Sequence, residues 1–154
     1  SMIGNKNLFF INVVIQFFYG KHDKKTSFVM NLIRACISGE KKFNLTSGKQ
    51  KRDFVHIDDV ISAYLVILKN LDILKNNSVI EIGSGESISI KDFSNMIKRL
   101  TLSEIFLDFN AIPLRMNEPN ECVANIKFLK KLGWSPLYNV NDGIKLLIKE
   151  IPKD

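Results

Sequence analysis

The stretch Lys51-Arg52-Asp53-Phe54-Val55-His56-Ile57-Asp58-Asp59-Val60 decides how the rest of the chain is read. Phe54, Val55 and Ile57 make a short β-prone run. Asp58 and Asp59 suit the end of a strand and the cap of a helix. Beyond them, apolar residues fall at Val60, Ile61, Tyr64, Leu65, Ile67 and Leu68, a helical spacing. The segment is therefore predicted as strand, tight turn and helix, with Arg52 just ahead of the strand and free to point out of the fold. A guanidinium held there carries five fixed donors and suits phosphate. The plainer alternative is a surface Arg paired with Asp53.

Upstream, Leu8 to Phe18 is a nearly continuous apolar run closed by Tyr19-Gly20. Asn12 and Gln16 interrupt it, no small-residue cleavage site follows, and it is too short to span a bilayer. It reads as a strand buried on both faces, as in a parallel sheet covered by helices. Phe28–Ile37 reads as a helix with Phe28, Leu32, Ile33, Cys36 and Ile37 on one face and Gly39 past its end. A short strand is expected over 43–45 and a turn over 46–49.

Downstream, Asn76-Asn77 breaks the chain and Ser78–Ile82 reads as a second buried strand, closed by Gly83-Ser84-Gly85. Ser89 with Asp92 forms an S-x-x-D capping box ahead of a helix whose stripe is Ile90, Phe93, Ile97 and Leu100. Residues 104–109 alternate as a strand, 111–121 are irregular around Arg115, 125–132 make a short helix, and 140–151 a last amphipathic one. Strands and helices alternate, so the class is α/β, yet the strands are few and short and the sheet looks incomplete.

The bulk numbers bound the function. With 154 residues there is room for one domain with a real core. Hydrophobic content of 45% and charged content of 25% are those of a globular protein. The net charge is +6, but the lysines are scattered rather than gathered on one face, which argues against a nucleic-acid binder. Cys36 and Cys122 form neither a CxxC nor a zinc pattern, and Cys36 reads as a buried thiol in a reducing cytoplasm.

Few residues invite chemistry. Gly83-Ser84-Gly85 lies between strand and helix, but no third glycine opens the helix, and a plain turn is the better reading. There is no nucleophile elbow, no acidic pair with metal spacing and no Y-x-x-x-K, since Asp23, Leu68 and Asp142 follow Tyr19, Tyr64 and Tyr138 by four. Arg52 and Arg115 remain, two forked donors on separate loops that together suit a diphosphate, with Glu118 placed to orient Arg115 or accept from a sugar hydroxyl.

Gln50-Lys51-Arg52-Asp53-Phe54-Val55-His56-Ile57-Asp58-Asp59-Val60 resembles a signature segment of the extended short-chain dehydrogenases, the NAD-dependent epimerase/dehydratase proteins that act on nucleotide sugars. Tyr19-Gly20, Ile82-Gly83-Ser84-Gly85 with Ser89-Ile90, Leu132-Gly133-Trp134-Ser135-Pro136 and Asp142-Gly143-Ile144 resemble further family segments in the family's order, over about residues 8–150. Leu45-Thr46 through Phe54, and Phe109 through Pro119, resemble more narrowly the 4-keto-sugar reductases and epimerases of lipopolysaccharide synthesis, of the CDP-abequose-synthase type.

The resemblance implies the C-terminal part of a Rossmann-type parallel sheet plus a small mixed α/β substrate-binding lobe. It implies that Arg52 and Arg115 grip a nucleotide diphosphate and ribose, that Leu45 and Thr46 pack on the base, and that Glu118 is a further substrate contact. It implies a CDP- or dTDP-linked sugar as ligand and NAD or NADP as cofactor of an intact member, with none bound by this chain alone. The family's glycine-rich loop and Y-x-x-x-K belong to an N-terminal half with no counterpart here; Val14 stands where Arg is usual and Asn125 where Asp is usual. The resulting expectation is the substrate-binding portion of a nucleotide-sugar reductase, epimerase or dehydratase, inactive alone, with no catalytic and no metal residues of its own. The alternative is a non-catalytic module that binds a nucleotide sugar or forms homo-oligomers through exposed strands.

Overall fold

The computed structural model describes residues 10–74 and 78–151. The start of the apolar run at Leu8 and the Asn76-Asn77 break lie outside the described residues. The element order is β1 (Ile11–Ile15), β2 (Phe17–Tyr19), α1 (Phe28–Ile37), β3 (Lys42–Asn44), β4 (Lys51–Arg52), β5 (Phe54–His56), α2 (Ile57–Lys69), β6 (Ser78–Ile82), β7 (Ile88–Ser89), α3 (Ile90–Leu100), β8 (Phe106–Asp108), β9 (Glu121–Cys122), α4 (Lys127–Lys131) and α5 (Val140–Glu150). The class is α/β, as expected.

The apolar run forms two strands rather than one. β1 pairs in parallel with β6, and β2 pairs in parallel with β5. The hand-over is at Gln16: its N–H donates to the Ile82 carbonyl at 2.9 Å, and the next N–H, of Phe17, donates to the Asp53 carbonyl at 3.1 Å. β3 and β8 form another parallel pair, and β7-β4-β9 a small mixed sheet.

The strands are also less buried than their composition suggests. In β1 and β6, Ile11, Val13, Ile15, Ile80 and Ile82 face a helical layer, while Asn12, Val14 and Val79 are exposed. Successive side chains alternate between faces, and among the described residues only one face of this pair is covered. The helix that covers it, α2, is likewise split. It buries Asp59, Val60, Ala63 and Ile67, and leaves Ile61, Leu65 and Leu68 exposed.

Period-two alternation in β5 joins two cores. Phe54 points into a cluster with Leu32, Ile33, Phe93, Ile97, Ile144 and Leu147, where its ring stacks on Phe93 at 3.8 Å. Val55 points into a second cluster with Val60, Ile80, Ile82, Leu129 and Trp134. Capping closes the helices. Ser27 accepts from the Met30 N–H, Ser89 from Asp92 and Asn139 from Asp142. The cap of α2 is a correction: it is His56, whose Nδ1 accepts from the Asp58 N–H at 3.3 Å, so both aspartates sit within the first turn, where the helix dipole favours them.

Candidate functional site

Arg52 does not point out of the fold. Its side chain is 4% exposed, drawn inward because β4 lies between β7 and β9. Nη1 donates to the carbonyls of Lys51 at 2.7 Å and Pro119 at 2.9 Å, and Nη2 donates to Glu118 Oε1 at 2.6 Å. The guanidinium also lies 5.5 Å from the centroid of the Phe17 ring. A buried cation needs a counter-ion and full hydrogen bonding, and Glu118 supplies the charge.

Glu118 therefore serves Arg52 rather than Arg115, its expected partner. Arg115 is exposed and makes no ion pair among the described residues. Leu45 is buried in the core, and Thr46 is half-buried, its Oγ1 accepting from Gln50 Nε2 at 2.8 Å. One loop gathers these positions. Asn110 and Ile112 donate their N–H groups to the carbonyls of Thr46 and Leu45, both at 3.1 Å, and eight residues later the same loop presents Glu118 and Pro119 to Arg52. The structure thus links Leu45, Thr46, Arg52 and Glu118 through the segment 109–119 and leaves Arg115 on its outer side.

Sequence reasoning missed Asp53. It is completely buried and does not pair with Arg52. Its Oδ1 accepts from the Ser84 N–H at 2.7 Å and the Ser84 hydroxyl at 2.6 Å, and its Oδ2 from the N–H groups of Gly85 and Ala124, both at 3.0 Å. The Gly83-Ser84-Gly85 loop is thus an anion cradle already filled by the protein's own carboxylate. A Cβ at Gly83 would collide with Asp53 Oδ2. The N–H groups of Ser84 and Gly85, which a dinucleotide loop would offer to a pyrophosphate, are committed to Asp53. The signal was present in the sequence: an aspartate inside an apolar strand, and a small-residue loop rich in N–H donors.

Asp59, expected at the helix cap, has a different role. It is buried and accepts from the N–H groups of Leu137 at 2.7 Å and Tyr138 at 3.2 Å, tying the Gly133-Trp134-Ser135-Pro136 segment to α2. Trp134 Nε1 donates to the Ser62 hydroxyl at 2.8 Å on the same helix. His56 is packed edge-on to Tyr19 and against Tyr138. Burial first, and the Asp59 charge second, push the Tyr19 phenol well above its ordinary range, so it stays protonated.

Two clefts flank these struts. One, of about 490 Å³, opens beyond the C-terminal ends of β2 and β5 beside Lys21, Lys24, His56 and Asp58. The other, of about 360 Å³, lies between Ser84–Ile88 and Pro136–Val140. Neither contains Arg52, Arg115 or Glu118. The Arg52 guanidinium is covered by Glu118 and the Pro119 carbonyl. Among the described residues no group of His, Cys, Asp and Glu is placed to hold a metal, and no helix is long and apolar enough to cross a membrane.

Residues 2–83 match the model of the NAD dependent epimerase/dehydratase family. The chain belongs to this family. CDP-abequose synthase of Salmonella muenchen is 36% identical over 139 residues, covering 90% of this chain and 47% of that protein. UDP-glucose 4-epimerase of Lactobacillus helveticus is 28% identical over 132 residues, covering 80% and 39%. Among solved structures, UDP-glucose 4-epimerase of Thermotoga maritima with UDP-glucose superposes with a TM-score of 0.80 at 22% identity, over 93% of this chain and 46% of that one. The chain thus spans about half the length of the curated relatives it matches, and its α/β architecture is that of Rossmann-fold epimerases and dehydratases.

Proposed function

We propose that this chain is the nucleotide-sugar-binding portion of an NAD(P)-dependent nucleotide-sugar reductase, epimerase or dehydratase. Arg52 and Arg115 are the diphosphate and ribose ligands, Thr46 and Leu45 shape the base end, and Glu118 lies at the sugar-nucleotide contact. The observation that carries this reading is the buried Arg52 guanidinium, with its Nη1 on two backbone carbonyls and its Nη2 on the Glu118 carboxylate. A buried Arg in a fixed pose fits bidentate recognition of phosphate. Similarity to CDP-abequose synthase supports a CDP-linked sugar and a place in surface polysaccharide (lipopolysaccharide O-antigen) synthesis in the cytoplasm.

The cofactor follows a different logic. The filled Gly83-Ser84-Gly85 cradle does not fit a dinucleotide, so we assign NAD(P) binding and the acid–base residues to the part of the relatives that this chain does not match. The chain alone is then a binder without turnover. Calorimetric titration with CDP is expected to give saturable binding, weakened about tenfold or more in Arg115→Ala, since a charged phosphate contact of this kind is worth about 1.5–3 kcal/mol. No heat with CDP, UDP or dTDP contradicts the binding role. Loss of NADH absorbance when the chain meets a CDP-4-keto-sugar contradicts the absence of turnover.

A second reading is favoured by the exposed Val14 and Val79 on β1 and β6 and the exposed Phe18 on β2. A module that buries these residues against a second copy would sediment as a dimer at micromolar concentration. A monomer at every concentration rules this reading out.

A further inference from the structure

We infer that Phe17 is a specificity-determining residue, whose ring forms an apolar wall at the hexose end of the site and selects a 6-deoxy sugar over its fully hydroxylated counterpart. This rests on the proposed diphosphate role of Arg52 and adds the class of sugar that the site takes.

Phe17 stands where two parallel strands part. β1 ends at Ile15 and its partner β6 at Ile82. The Gln16 N–H still donates to the Ile82 carbonyl, and the Phe17 N–H turns away to the Asp53 carbonyl. Ligands of open α/β sheets bind beyond the carboxyl ends of the strands, in the crevice where the strand order changes. Beyond β6 the N–H groups of Ser84 and Gly85 are taken by Asp53. Beyond β1 the Phe17 side chain is 46% exposed.

The ring has fixed neighbours. The Arg52 guanidinium lies 5.5 Å from its centroid, and the Phe54 ring lies 6.0 Å away, tilted by 59°. Both are favourable contacts for an aromatic ring. A single exposed apolar residue is ordinary. Here the exposed ring stands at the carboxyl edge of a parallel pair and against the buried arginine.

The order of the site decides which part of the ligand meets the ring. Residues 45–52 lead from the base end, at Leu45 and Thr46, to Arg52. Phe17 lies past Arg52, opposite Phe54 in the β2–β5 pair. The bonds of the guanidinium to Lys51, Pro119 and Glu118 leave further N–H donors for a phosphate oxygen. A diphosphate held there brings its sugar onto Phe17. A phenyl ring offers no hydrogen-bonding group. A hydroxyl pressed against it gives up water without gaining a partner, whereas a methyl gains from burial. A 6-deoxyhexose carries a methyl where its counterpart carries a hydroxymethyl.

The test uses the full chain and three probes, CDP, CDP-glucose and CDP-6-deoxyglucose, in calorimetric titrations. The unsubstituted chain is expected to bind the 6-deoxy compound about tenfold more tightly than CDP-glucose, within the range over which an apolar wall rejects an added hydroxyl. Phe17→Asn supplies a polar partner and is expected to bring the two sugars within about twofold of each other. Loss of the ring contact with Arg52 is expected to weaken CDP itself by no more than about fivefold. An effect on the shared CDP part leaves the ratio of the two sugars unchanged, so the ratio separates selection from a merely structural role. Phe17→Thr, which suits a strand, is expected to behave likewise and serves if Phe17→Asn does not fold. Equal affinity for the two sugars in the unsubstituted chain overturns the inference and leaves the diphosphate reading intact. An unchanged tenfold preference in the variants also overturns it and places the selection elsewhere. If the chain binds none of CDP, UDP and dTDP, the diphosphate reading fails and the role of Phe17 fails with it.

Discussion

The lobe around β4, α1, α3 and α5 and the layer formed by β1, β6 and α2 use similar apolar residues to different ends. In the first, Leu32, Ile33, Phe93, Ile97, Ile144 and Leu147 are all buried, and the polar groups Arg52 and Asp53 are buried with hydrogen-bonded partners. In the second, Val79 is 61% exposed and Leu68 59% exposed, beside Val14, Ile61 and Leu65. The first region is finished by this chain. Among the described residues the second is covered on one side only, and the chain spans about half the length of the curated relatives it matches. An apolar residue contributes to stability only when a layer meets it, so the two regions should respond to mutation in opposite ways.

The largest effect is expected at Asp53. Asp53→Ala leaves the N–H groups of Ser84, Gly85 and Ala124 without an acceptor, and should cost about 3–5 kcal/mol in urea denaturation. A loss under about 1 kcal/mol would mean that the cradle is not the joint between the strands and the lobe. Next is Phe93→Ala, which removes the ring stacked on Phe54 and should cost about 3–5 kcal/mol. Leu65→Ser and Leu68→Ser, on the open face of α2, should change stability by no more than about 0.5 kcal/mol. A loss like that of Phe93→Ala would show that this face is covered after all.

The smallest effect concerns pH. The Asp142 carboxyl titrates below the usual aspartate range, first through its hydrogen bond from Lys145 and then through that from Asn139. Its folded value is depressed, so its stabilisation is present above the ordinary aspartate value and is lost as pH falls through the depressed one. The midpoint of thermal unfolding followed from pH 5 to pH 2 should lose a small part of its acid slope in Asp142→Asn. An identical slope in both proteins removes this group from the acid response.

The same comparison explains how far the sequence could be read. Helix positions came from apolar spacing and from Ser27, Ser89 and Asn139, because caps and stripes are local. Burial on both faces did not follow for residues 10–18 of the apolar run, since such a run reports what a strand can pack against and not whether the packing layer is present. The local pattern singled out Arg52, but its inward pose depends on the Pro119 carbonyl and Glu118, which approach from more than sixty positions away in the chain. Local pattern cannot report such a contact. Asp53 was misjudged for the same reason, as its partners lie on two other segments. The resemblance to epimerases and dehydratases identified the family correctly because short motifs in a fixed order survive where pairings cannot be seen.

The account stands most directly on where a nucleoside diphosphate touches this chain. Backbone amide NMR of the full chain titrated with CDP should move the resonances of residues 45–52 and 109–119 in a saturable way, and leave Ser84 and Gly85 in their filled cradle unmoved. Shifts centred on Ser84 and Gly85, or no saturable shifts at all, would contradict it.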